Sequence, residues 1–97
     1  MRHYLLATLR RAARDHAIKS AFSLSINHRE LLDRSRRCAC YACLAVFSRR
    51  DIRRWTDDGQ TALCPHCGFD AVLPGAAGLS IRRESLISIR KFWFNTQ

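Results

Sequence analysis

Thr61-Ala62-Leu63-Cys64-Pro65-His66-Cys67-Gly68, read with Cys38-Ala39-Cys40-Tyr41-Ala42-Cys43, decides the fold of this 97-residue chain. Each stretch holds a C-x2-C pair, and twenty residues lie between Cys43 and Cys64. A two-residue spacer lets one tight turn present two thiolates. Two such turns complete the four-sulfur tetrahedron that zinc prefers and leave no coordination position for a substrate. In the second pair Pro65 stiffens the turn and Gly68 can take the positive φ it needs. Leu44 stands where the first pair would carry that glycine, so a different geometry is expected there.

The expected ligands are Cys40, Cys43, Cys64 and Cys67. Zinc is the expected metal, and iron is the alternative, because Cys-Pro-x-Cys-Gly also suits a rubredoxin-like site. Cys38 is separated from Cys40 by one residue, an awkward spacing, and stands as the alternative ligand. His66 is expected to point outward, and His3, His16 and His28 are read as surface or capping residues. Zinc binding to such a site is worth on the order of 10–16 kcal/mol near neutral pH. A chain this short has a total stability of roughly 5–15 kcal/mol, so losing the metal is expected to unfold at least residues 38–73.

Working outward, Asn27 and Glu30 have capping-box spacing, with Ile26 and Leu31 as a hydrophobic staple, and predict a helix over about 28–36. Ser48 and Asp51 repeat the pattern with Phe47 and Ile52, and predict an inserted helix over about 49–57 that stops at Gly59. Short strands are expected at 60–63 and 69–73. At the ends, Leu5, Leu6, Leu9, Ala12, Ala13 and His16 fall on one stripe of a helix over 3–20. Ile81, Leu86, Ile89, Phe92 and Trp93 share an arc of a last helix beginning after Ser80, which reads as a core face. Ile87 and Phe94 fall off that arc, free to pack on a partner or on the first helix. The fold class is α+β, one small zinc-stabilised domain with two CxxC turns, short strands, the inserted helix and a helix at each end. A helical arm (1–37) leads to a metal-binding centre (38–73) and a C-terminal helix (80–95) that packs on the arm.

The hydrophobic fraction of 47% suits a globular chain, and no apolar run approaches the roughly 18–20 residues needed to span a bilayer. Five cysteines in two clusters, with no apolar export signal, point to a reducing compartment and a cytoplasmic protein. Residues 1–25 are Arg-rich with Asp15 as their one acid, a pattern shared with mitochondrial transit peptides; the first helix of the domain is the reading taken. The net charge is +9, and four thiolates on one zinc ion would bring it to about +7. Fifteen of the 17 basic residues are arginine, a bias that genome composition can also produce.

From Asn27 to Leu73 the chain resembles a family of small bacterial cytoplasmic zinc-finger proteins of poorly characterised function. The shared elements are His28-Arg29-Glu30, the Cys38–Cys43 cluster with an aromatic residue inside it, Trp55-Thr56-Asp57, and Thr61 through Asp70. The chain departs from that pattern at Ala39 and Ala42. The resemblance implies a bacterial cytoplasmic metal-binding protein and supplies no activity.

No histidine follows the second CxxC to hold a second, catalytic metal, and no nucleophile triad or phosphate loop can be assembled. The chain is therefore not expected to be an enzyme. Arg36-Arg37, Arg49-Arg50 and Arg53-Arg54 flank the metal site in sequence, and paired arginines position phosphates well. Nucleic-acid binding or a regulatory role is the expected function. The alternative is a protein-interaction module (adaptor, inhibitor or immunity-type protein) meeting an acidic partner through the same surface.

Overall fold

Arg37–Cys40 forms the central strand of the larger of two sheets, and its small residues explain why it can sit there. In a computed structural model, which describes residues 18–78 and 81–94, Cys38, Ala39 and Cys40 are all fully buried. Side chains this small let the neighbouring elements pack close to the strand. We number the helices α1 (helical residues 18–24), α2 (Arg29–Asp33) and α3 (Arg83–Phe94). The strands are β1 (Arg37–Cys40), β2 (Val46–Ser48), β3 (Trp55–Thr56), β4 (Thr61–Ala62) and β5 (Val72–Pro74).

The first sheet runs β2-β1-β5, with both pairings antiparallel. Cys38 stands opposite Phe47 on one side and Pro74 on the other. Pro74 lacks a donor but lies on an edge strand, where none is needed. At Gly75, just past β5, a Cβ would collide with the backbone carbonyl oxygen of Arg37, so the close approach of this segment to β1 needs glycine. Strands β3 and β4 form a separate hairpin whose turn carries Asp57, Asp58 and Gly59 at positive φ.

Leu32, Leu73, Leu86 and Ile89 are fully buried, each worth about 1.5–3 kcal/mol relative to exposure. Leu86 and Ile89 bring α3 onto the core, as the sequence pattern indicates. The indole N–H of Trp93 donates to the Ile18 carbonyl at 2.7 Å, which joins α3 to α1. Residues 1–17, and with them the whole apolar stripe expected of the first helix, lie outside the described residues.

His28 is neither the surface residue nor the side-chain cap expected of it. It is 3% exposed, and its ring joins two elements. Nδ1 lies 2.6 Å from the Leu24 carbonyl, and Nε2 accepts from the Ala62 N–H at 3.0 Å. The ring is therefore the neutral Nδ1–H tautomer, and burial pushes its pKa below 6.5 against the raising effect of the Leu24 carbonyl.

Two expected helices are corrected. The box at Asn27 does not form: no side chain caps α2, and the Gln60 carbonyl takes the first N–H groups, from His28 at 2.8 Å and Arg29 at 3.1 Å. Glu30 instead pairs with Arg34 at 2.6 Å. The box at Ser48 and Asp51 does form, but it starts only a single 3-10 turn, Arg49–Asp51. Ile52 then folds inward in an extended conformation, and Leu63 N–H donates to the Arg54 carbonyl at 2.9 Å. Pairing with the β4 segment draws the chain out of the helix. The inserted helix is replaced by a turn and a hairpin strand.

Candidate functional site

Cys40 ends β1, Cys43 closes the turn after it, and Cys64 and Cys67 occupy the corresponding places after β4. The two turns repeat each other bond for bond. Leu44 N–H donates to the Cys40 carbonyl at 2.8 Å, and Gly68 N–H donates to the Cys64 carbonyl at 2.9 Å. Cys40 N–H donates to Ala45 O at 2.9 Å, and Cys64 N–H to Phe69 O at 2.8 Å. Ala42 N–H points at the Cys40 sulfur and His66 N–H at the Cys64 sulfur, each at 3.3 Å. The first turn therefore does not differ in geometry. Leu44 takes the left-handed conformation at φ +68°, where Gly68 has +82°.

The four sulfurs lie within 4.8 Å of one another, with Cys40–Cys67 and Cys43–Cys64 each 3.7 Å apart. Sulfurs bound tetrahedrally at about 2.3 Å stand about 3.8 Å apart, so the set fits a four-coordinate metal ion. Four cysteines are thus positioned to bind a metal. Cys40 and Cys64 lie inside, while Cys43 is half-buried and Cys67 is at the surface.

Burial raises the pKa of the Cys40 and Cys67 thiols above the usual thiol range, despite N–H donors that favour their thiolates. Burial also opposes ionisation of Cys64, but the N–H groups of Cys67 and His66 and the neighbouring thiols outweigh it and lower that pKa. Metal uptake must therefore displace protons.

Cys38 is not in the group. It lies two residues before Cys40 on the same strand face, about 7 Å further along, between Phe47 and Pro74. Burial raises its pKa to about 11, against the opposing influence of Arg49 and the Gly75 backbone. It is a core residue.

The six arginines divide into two sets, because the helix expected to carry four of them is absent. Arg36, Arg37, Arg49 and Arg50 line an open groove of about 890 Å³ with Asp33, Ser35 and Ser48. Arg53 and Arg54 lie with Asp51, Leu63 and Pro65 beside the second cysteine turn. Arg49 is held in place. It donates to Asp33 Oδ1 through Nε at 3.1 Å and Nη2 at 2.7 Å, and its guanidinium lies 4.9 Å from the Trp55 ring centre. Arg29 approaches the same ring at 4.2 Å. Arg36, Arg37 and Arg50 are exposed, and their side chains make no ion pair among the described residues. Among the described residues Asp33 is the one acid lining the groove, and Arg49 takes it. Neither Asp33 nor Trp55 stands out in the sequence as part of such a surface, since their contacts span distant segments. His66 is exposed, as expected.

No helix among the described residues is long and apolar enough to cross a membrane. No protein-family model, curated protein or solved structure matches the chain.

Proposed function

We propose that the four-cysteine site holds zinc and that the domain it staples binds the sugar–phosphate backbone of nucleic acid through the arginine groove, as a binding module and not an enzyme. The observation that carries the second half is the groove itself. Three exposed arginines converge there, and among the described residues that line the groove no acid is left free to neutralise them. Guanidinium groups so placed suit phosphate oxygens. A closed tetrahedral four-thiolate set suits zinc and also iron, and zinc is the metal proposed.

Metal content is tested by elemental analysis of protein purified under reducing conditions, where an iron tetrathiolate would also colour the sample. Binding is tested with the metal-loaded protein and duplex DNA across a salt series. Neutralising about three phosphates gives a slope near −3 in log affinity against log salt. Charge reversal at Arg36, Arg37 and Arg50 should flatten it. Wild-type protein that binds no nucleic acid at low salt would refute this reading and turn attention to an acidic protein partner.

A further inference from the structure

Among the described residues, most of the large hydrophobic side chains left exposed are aromatic and lie on or against the last turn of α3, its C-terminal end. Phe22, Phe69, Phe92, Trp93 and Phe94 are five of the six large hydrophobic side chains exposed among the described residues. They form two ring clusters, one around Trp93 and one around Phe94. Phe22 and Phe92 meet Trp93 at 5.3 and 5.0 Å, and Phe69 meets Phe94 edge-on at 5.8 Å. Phe69 and Phe92 are 53% and 58% exposed, so about half of each side chain is open to solvent. The last turn of α3 was expected to put Phe92 and Trp93 into the core, and it does not.

A basic path leads from the groove to this end. Arg50 belongs to the groove, and beyond Asp51, whose carboxylate accepts from the Ser48 N–H, the extended chain carries Arg53 and Arg54 along the second cysteine turn. The Arg54 guanidinium reaches Gly68, with Nη2 3.2 Å from where a Cβ would stand, and Phe69 is the next residue. Strand β1 spans the same interval. It begins at Arg37 in the groove and is followed by Tyr41, whose ring lies 5.7 Å from Phe94, about 13 Å along the chain.

We infer that the ligand is a single strand of nucleic acid, its phosphates following Arg50, Arg53 and Arg54 and its bases stacking on Phe69 and Phe92. This deepens the phosphate-binding reading above and rests on it. A duplex keeps its base faces stacked inside and could use the groove alone, whereas an unpaired strand offers both a charged backbone and free π-faces. A second copy of the chain is disfavoured as the occupant because each copy carries a net charge of +9.

The test compares oligothymidylate, oligouridylate and duplex DNA of matched length, titrated with metal-loaded protein over a salt series. The single strands should bind more tightly than the duplex. Phe69→Ala and Phe92→Ala should each weaken single-strand binding by roughly five- to hundredfold, with the salt slope and duplex affinity unchanged. Phe69→Leu, which keeps the apolar bulk but not the π-face, should behave like Phe69→Ala. Metal content and circular dichroism report whether each variant folds. Equal affinity for single strands and duplex, indifferent to both alanine variants, overturns this inference and leaves the groove reading standing. Loss of all binding in the wild type removes both. A concentration-dependent dimer that Phe92→Ala dissolves would mark the aromatic end as a self-interface and also overturn the inference.

Discussion

Leu44 and Gly68 occupy the same position in the two cysteine turns and share the left-handed conformation, at φ +68° and +82°. The turn dictates that conformation, because the N–H of this residue must reach the carbonyl of the first cysteine. A non-glycine residue there costs about 1–2 kcal/mol. Leu44 recovers part of that cost by packing against the core. Leu44→Gly should therefore change stability by less than about 1 kcal/mol, since strain relief offsets lost burial and added backbone freedom. Gly68→Ala should cost about 1–2 kcal/mol, because its φ is unsuited to a Cβ and the Arg54 guanidinium must give way. Denaturant unfolding of the metal-loaded proteins checks the asymmetry.

His28 makes stability depend on pH. Its folded-state pKa lies below 6.5, so the unfolded chain takes up the proton first. The stability it contributes is complete above about 6.5 and falls as pH drops through its folded pKa. Thiol protonation and metal loss act in the same direction, so the informative quantity is the difference between wild type and His28→Gln. That difference should shrink on acidification. His28→Ala leaves the Ala62 N–H and the Leu24 carbonyl without partners and should cost about 2–4 kcal/mol at neutral pH.

Removing the metal should unfold the centre, and the five cysteines should not be equivalent. Cys64→Ser should abolish stoichiometric metal binding. Cys38→Ala should keep one ion per chain and lower stability by only about 1 kcal/mol, as a small buried side chain does. Elemental analysis with chelator-induced loss of circular dichroism separates the two. Metal affinity should weaken with falling pH, because burial holds the Cys40 and Cys67 thiols protonated.

Arg49 and Arg36 should respond differently to the same substitution. Arg49→Ala removes an ion pair to Asp33 and a contact with Trp55, and should destabilise the fold by about 1 kcal/mol. It also frees Asp33 to repel phosphate. Arg36→Ala should leave stability unchanged and reduce the salt slope for nucleic acid by about 1. Thermal melts and salt titrations of both variants test the distinction.

Much of the metal site was legible because its signals are local. The spacer of each CxxC and the Pro65–Gly68 turn depend on neighbours in sequence, and the structure brings the expected four sulfurs together. The start at Ser48 and Asp51 was equally local and equally sound. How far that helix runs was not local, because Trp55 and Thr56 pair with Ala62 and Thr61 across the turn. The cap of α2 failed to show for the same reason, since its acceptor is Gln60, thirty-two residues beyond His28. The exposed rings of α3 illustrate a limit of periodicity: an arc marks a preferred face but does not say where along the helix the core ends.

Strand β1 serves as a ruler. With the residue that follows it, the strand supplies Arg37 to the groove, Cys40 to the metal site and Tyr41 to the aromatic end within five residues. The separation of these features is set by covalent geometry, which thermal motion barely alters, and not by the packing of separate elements. An inserted or deleted residue between Arg37 and Cys40 would lengthen or shorten that gauge by about 3.3 Å and turn the following side chains to the opposite face. Natural variation in this protein can therefore revise the rings or the charges one at a time, but the distance between them is fixed by the strand that carries a metal ligand.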